Sequence, residues 1–176
     1  QRRGLAVPSM AINVSPLRFK QDDVAGDVAR LLAQHGLAAR TLTLEVTERL
    51  MLEDDEHARA QLTQLHAMGV RLSLDDFGTG YSSLSYLKRL PVAELKLDKS
   101  FVRDLETDAD DRALAAAVLA IGRALDLVVV AEGVETEGQH LALLRAGCEV
   151  AQGYLFSRPL AARAFEDWLL LKRPWP

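Results

Sequence analysis

Polar residues able to do chemistry recur at or near the ends of short apolar runs along this chain. Asn13 lies in SMAINVS, Glu45 and Glu48 in TLTLEVTE, and Asp75 and Asp76 close RLSLDD. Lys96 and Asp98 fall in ELKLD, Glu132 closes LVVVAE with Glu135 shortly after it, and Gln152 lies in VAQGY. Carboxylates brought side by side cannot all stay ionised without cations, because like charges raise one another's pKa. Oxygen donors with no Cys or His cluster suit Mg2+ or Mn2+ rather than zinc. The sharpest local feature is Asp75-Asp76 followed by Phe77-Gly78-Thr79-Gly80. Neighbours on a regular strand face opposite ways, but a strand leaving into a glycine-containing loop can turn both carboxylates to one side. One of them can then bridge two metals while the other binds one. The plainer alternative is that the pair only opens a loop and caps a helix at Ser82 to Arg89.

These residues need elements to hold them, and the chain repeats one theme: an apolar run, a polar end, a turn, then a helix-period segment. The runs are Ser9 to Ser15, Thr41 to Glu48, Arg71 to Asp76, Glu94 to Asp98, Leu127 to Glu132 and Val150 to Tyr154. Between them Val24, Val28 and Leu31, then Ala58, Leu62 and Leu65, then Leu114, Val118, Ile121 and Leu125 form apolar stripes at helical spacing. Gly36, Gly69 and Gly147 follow the last turns of three helices. Alternating strand and helix predicts a parallel α/β fold. With no glycine-rich dinucleotide fingerprint and polar residues at nearly every strand end, a (β/α)8 TIM-like barrel is favoured over a doubly wound sheet. A full barrel takes about 250 residues in eight units. The 176 residues here hold six such runs, so an incomplete barrel of about six βα units is expected.

Composition narrows the function. A net charge of −4 argues against a nucleic-acid polymer or an anionic membrane surface, which call for clustered Lys and Arg. No apolar run is long enough to span a membrane, since that takes about 18 residues or more. A single cysteine, Cys148, cannot pair within the chain, so a reducing, cytoplasmic setting is the default expectation. His35, His57, His66 and His140 fall in helical segments away from the strand ends and read as structural or surface residues. Trp168 to Leu171 could seal the barrel bottom or meet a partner, with core packing the expected outcome.

The segment DDFGTGYSSLSYLKRLPVAELKLDKSFV, Asp75 to Val102, closely resembles the signature of the EAL-domain family, bacterial cyclic di-GMP phosphodiesterases. INVS around Asn13, LEVTE at Glu45, AEGVE at Glu132 and QGYLFSRPL from Gln152 extend the resemblance in order over essentially the whole chain. It implies a metal-dependent phosphodiesterase that hydrolyses cyclic di-GMP to linear pGpG at a site of two Mg2+ or Mn2+ ions. Asn13, Glu45 and Asp75 match metal ligands, Asp75 as the bridging one. Asp76 and Glu132 match residues of the second metal and its bound water, and Lys96 matches the catalytic lysine. Glu48 resembles the glutamate that holds the DDFGTG loop, and Glu135 and Gln152 match supporting residues. Asp98 is expected among the carboxylates that keep Lys96 charged. For Glu48 and Glu135 a solvated place at a helix start is the alternative, and for Gln152 simple satisfaction of backbone groups.

The family's Glu-Ala-Leu motif, with its further metal-binding glutamate and a nearby arginine, has no counterpart here. Residues 1–176 therefore read as an EAL domain lacking its first two units, and the chain alone is expected to be inactive or nearly so. The family also implies a homodimer through the barrel helices and an upstream sensory or diguanylate-cyclase-like domain. The alternative is a degenerate EAL domain acting as a cyclic di-GMP receptor or protein-interaction module. A barrel enzyme of another class, such as an aldolase, leaves the shared motifs unexplained.

Overall fold

The computed structural model describes residues 9–48, 50, 55–78, 87, 88 and 90–171. Among these, six strands form one sheet, each paired in parallel with the next in the chain. They are β1 (Met10–Asn13), β2 (Leu42–Thr47), β3 (Arg71–Phe77), β4 (Glu94–Leu97), β5 (Val128–Ala131) and β6 (Val150–Ala151). A doubly wound sheet reverses its strand order at a switch point, whereas unbroken sequential order builds a barrel wall. The wall curls into a half-barrel of six strands with helices against it.

The helices are α1 (Pro16–Gln21), α2 (Val24–His35), α3 (Glu56–Ala67), α4 (Lys99–Arg103), α5 (Ala109–Ala124), α6 (Glu137–Arg145) and α7 (Ala162–Leu170). Side-chain oxygens set most of their starts: Asp23, Asp55, Asp98, Asp108 and Thr136 each accept from an amide of the first turn. Gly36, Gly69 and Gly147 follow α2, α3 and α6 with φ of 62°, 87° and 84°. The helix expected at Ser82 to Arg89 falls almost wholly outside the described residues, although Leu87 is buried in the core.

Strand alternation separates core from site. Leu44 and Val46, Leu72 and Leu74, and Leu95 and Leu97 join Leu62, Leu65, Val118 and Leu119 of α3 and α5 in one buried cluster. The intervening Thr43, Glu45, Ser73 and Lys96 are also buried, but are polar. Parallel strands covered on both faces usually read as continuous apolar runs. Here every second residue is polar because the inner face of the wall carries the candidate site.

Among the described residues no strand pairs with the outer edge of β1 or β6. All four residues of β1 are exposed, Met10 and Ile12 by about half, and Val150 of β6 is 40% exposed. The core packing expected of Trp168 to Leu171 holds only in the first half of that segment, where Trp168 and Leu169 are half-buried. Leu170 and Leu171 are 63% and 62% exposed, because α7 follows the last strand, where no further strand among the described residues gives it a surface to cover.

Candidate active site

The carboxyl end of β4 carries Lys96, whose side chain is only 5% exposed. Its Nζ lies 2.9 Å from Glu45 Oε2 on β2, 3.3 Å from Asp75 Oδ1 on β3 and 2.5 Å from Glu132 Oε1 just beyond β5. Glu45 and Lys96 are separated by a whole intervening strand, so their contact requires the concave curvature of the wall. Burial opposes the ammonium, but its hydrogen bonds to Glu132 and Glu45 outweigh that and hold Lys96 above the ordinary lysine range. Burial pushes the Glu132 carboxyl up, and Asp75 and Glu45 add to that while Lys96 pulls it back.

Asp75 and Asp76 occupy an irregularity in the sheet. Leu74 pairs with Leu95 and Phe77 with Leu97, so β3 advances by one more residue than β4 across this interval. Asp76 takes φ of 57°, the left-handed conformation that aspartate tolerates better than most side chains. A bulge of this kind breaks the alternation and re-aims side chains. Phe77 thereby returns to the core, 3% exposed, while Asp76 remains open to solvent. Burial, then the charges of Asp75 and Asp98, raise the Asp76 carboxyl, against Lys96 and Lys99.

Gln152 anchors the far side. Its Nε2 donates to Glu132 Oε1 at 2.6 Å, its amide donates to the Ala131 carbonyl, and its carbonyl accepts from Val134. Asn13 ends β1 in register with Glu45 and is exposed. Glu48 lies just past β2, half-buried, and of the DDFGTG segment it was expected to hold, Thr79 and Gly80 lie outside the described residues. Glu135 is exposed on the rim.

One assignment changes. Asp98 is expected among the carboxylates around Lys96, but the three that contact its ammonium are Glu45, Asp75 and Glu132, and Asp98 Oδ1 accepts from the Ser100 amide at 2.9 Å as the cap of α4. Although burial opposes it, the bonds from Ser100 and Lys99 bring its carboxyl below the usual range. A strand residue two places from Lys96 would share its face, but Asp98 is already past the end of β4 and its geometry follows the helix.

A cavity of about 620 Å³ opens beside Glu132, lined by Lys99, Glu135, Gln152, Arg158 and Trp168 among others. The Arg158 guanidinium lies over the Tyr154 ring, 4.6 Å from its centroid. Reading strand ends alone missed Lys99, Tyr154 and Arg158, because all three lie beyond the strands, on α4 and the loop after β6. The QGYLFSRPL segment held the last two in view.

Three carboxylates around one ammonium leave an excess of negative charge, and with the amide oxygen of Asn13 the donor set is oxygen only. That chemistry fits a hard divalent cation. Among the described residues the carboxylates converge on Lys96 rather than forming a ready cage of their own.

The EAL domain matches residues 1–159 of the chain. Over 154 residues the chain is 49% identical to the bifunctional diguanylate cyclase/cyclic di-GMP phosphodiesterase MucR of Pseudomonas aeruginosa, covering 88% of this chain and 22% of MucR. The solved c-di-GMP complex of the PaMucR phosphodiesterase superposes with a TM-score of 0.84 at 48% identity, covering 89% of this chain and 64% of that one. The manganese/cy-diGMP complex of Klebsiella pneumoniae BlrP1 superposes with a TM-score of 0.79 at 36% identity, over 86% of this chain and 39% of that one. The cyclic di-GMP phosphodiesterase NbdA of P. aeruginosa is 47% identical over 161 residues, 91% of this chain and 20% of NbdA. The chain thus spans about a fifth of the length of these curated relatives.

Proposed function

Because the chain belongs to the EAL-domain family, we propose that it forms the greater part of a metal-dependent phosphodiesterase site that hydrolyses cyclic di-GMP to linear pGpG. The observation that carries this reading is the buried Lys96 ammonium ringed by Glu45, Asp75 and Glu132 at the carboxyl end of a parallel barrel wall. Asn13, Glu45, Asp75, Asp76 and Glu132 would hold two Mg2+ or Mn2+ ions. When bound, the ions supply Lewis acidity toward the phosphodiester and acidify a water. The manganese/cy-diGMP complex of BlrP1 supports a divalent-metal requirement.

The chain's own groups divide the remaining work. Lys96 provides a fixed positive charge where negative charge grows on phosphorus oxygens, and burial makes that charge worth more than in bulk water. Glu132 can hold the proton released from the attacking water at a carboxylate oxygen. Gln152 fixes the orientation of that carboxylate through Oε1. Lys99 and Arg158, on the wall of the adjacent cavity, offer cations to the substrate's phosphates, and Arg158 is held in place over Tyr154. Glu48 keeps the DDFGTG loop in its working conformation, and Glu135 supports the rim. Asp98 contributes by capping α4 below the site.

Residues 1–176 are taken as an EAL domain without its first two βα units and its Glu-Ala-Leu motif. The outer edges of β1 and β6, unpaired among the described residues, support this. The parent protein would carry an upstream sensory or diguanylate-cyclase-like domain, as the much longer MucR suggests. It would pair as a homodimer through barrel helices, on which Leu31, Leu114, Leu141 and Leu144 are exposed. No described helix is long and apolar enough to cross a membrane. With the buried free thiol of Cys148, that supports a cytoplasmic setting.

The test is turnover of cyclic di-GMP with Mg2+ or Mn2+, following pGpG by chromatography with circular dichroism as the check on folding. The chain alone should turn over little or nothing, and adding the upstream sequence should restore activity that Lys96→Ala abolishes. A folded parent protein that binds cyclic di-GMP without hydrolysing it moves the reading to a receptor.

A further inference from the structure

We propose that Gln139 is the positioning residue of the loop that carries Glu132 and Glu135, tying that loop to the far end of α4. This rests on the phosphodiesterase reading of the site. The loop is held at its start by the Glu132 amide on the Leu97 carbonyl, 3.0 Å, and at its middle by the Val134 amide on the Gln152 carbonyl, 3.0 Å. At its end, the amides of Glu135 and Thr136 both donate to one oxygen, Gln139 Oε1, at 2.8 and 3.1 Å. The nitrogen of the same carboxamide donates to the Arg103 carbonyl at 3.0 Å. Gln139 is 6% exposed, so these bonds are made away from water and their loss is costly.

A glutamine at the third position of a helix commonly completes a capping box by accepting from the amide of the cap residue. Thr136 and Gln139 form that box. Gln139 does more, since it takes the amide before the cap and reaches out of its own helix to Arg103. Arg103 is the last residue of α4, which begins beside Lys96 at the Asp98 cap. Two elements of the candidate site, the Lys96 strand end and the Glu132 loop, are therefore referred to one short helix through a single side chain. Neighbouring contacts run the same way. Thr136 Oγ1 donates to Glu106 Oε1 at 2.6 Å, and a Cβ added to Gly133 would stand 2.6 Å from the Cβ of Lys99. The loop is pressed against α4 and the turn after it, with Gln139 as the polar bolt.

Gln139→Leu removes the donor and the acceptor at nearly constant volume, and Gln139→Glu keeps the acceptor while losing the donor. Both are made in the whole protein that carries this chain, with folding checked by circular dichroism. Hydrogen exchange at the Glu135 and Thr136 amides should accelerate about tenfold or more in the leucine variant. In the same variant kcat for cyclic di-GMP should fall about tenfold with KM within about twofold, and the glutamate variant should recover part of the loss. A purely structural role would lower the melting midpoint but leave kcat unchanged well below it, and that result overturns the proposal. Unchanged exchange at the two amides overturns it whatever the activity. A wild-type protein without turnover instead sinks the phosphodiesterase reading, and with it the catalytic meaning of the clamp.

Discussion

Glu132 Oε1 accepts from two directions at once, from Lys96 Nζ at 2.5 Å and from Gln152 Nε2 at 2.6 Å. The lysine is thus tied to the last strand of the wall as well as to β2 and β3, and its charge is what allows three carboxylates to share a buried mouth. Removing it leaves them uncompensated.

Lys96→Met should therefore cost about 3–5 kcal/mol of unfolding free energy at neutral pH, read by urea denaturation. The sign of its pH dependence follows from proton linkage. In the wild type the lysine's pKa is raised by folding, so its contribution is fully present below its ordinary value of 10.5 and disappears only as pH rises through the higher folded value. In the variant Glu132, already pushed up by burial, loses the Lys96 charge that pulls it back, so it binds a proton more readily folded than unfolded and stability should recover as pH falls from 7 toward 4. A variant equally unstable at both pH values would contradict the charge argument.

Asp76 combines a left-handed backbone with a carboxyl raised by burial and by Asp75 and Asp98. A raised carboxyl favours the folded state below its ordinary pKa of 3.8 and disfavours it as pH climbs through the folded value. Asp76→Asn keeps a side chain that tolerates this conformation and removes the repulsion. The expected outcome is a chain as stable as the wild type or more so at pH 7, with a flatter stability profile between pH 3.5 and 7, and a parent protein without turnover. Chemical denaturation across that range, with the hydrolysis assay, checks both halves, and a clear loss of stability at pH 7 would refute the first.

Much of this arrangement is legible in the sequence, and what is not has physical causes. The alternation in TLTLEVTE, RLSLDD and ELKLD marks the strands and separates Leu44, Leu72 and Leu95 from Glu45, Ser73 and Lys96. Sequential pairing follows from the repeating strand and helix. The extra residue at Asp75-Asp76 was visible only as an adjacent pair, because no composition rule says that an aspartate rather than a glycine will take the left-handed turn. Asp98 was misplaced because spacing along a strand says nothing about where the strand stops. Leu170 and Leu171 are as hydrophobic as the half-buried Leu169 yet lie exposed, because burial needs a surface to bury against. Gln139 left a readable trace, a threonine followed by a glutamine at capping-box spacing, but its bond to Arg103 is long-range and invisible to any local rule.

Gly153 stands where β6 runs into the loop beside Glu132, and a Cβ there would collide with the backbone nitrogen, carbon and oxygen of Val134. Backbone cannot rotate aside as a side chain would. Gly153→Ala should cost about 1–3 kcal/mol and loosen the Glu132 loop, seen as a lower urea midpoint with an unchanged slope. A midpoint equal to the wild type's would contradict the close approach of the two segments.

Exposed strand edges invite pairing with other chains. The 176-residue chain on its own should self-associate through β1 and β6, and Ile12→Lys, at an exposed position, should shift it toward monomer. Light scattering after size exclusion reads this directly, and identical association in both chains would remove β1 from consideration.

The unbroken strand order has a consequence for synthesis. Each strand's partner is its immediate predecessor, so a chain leaving the ribosome can add units one by one without waiting for distant sequence. The charges do not arrive so conveniently. Glu45 and Asp75 emerge before Lys96, and Glu132 and Gln152 after it, so the nascent wall passes through a stage in which acidic groups on β2 and β3 face each other with no counter-charge. The counter-charge that Glu45 and Asp75 share is thus supplied only when β4 brings in Lys96.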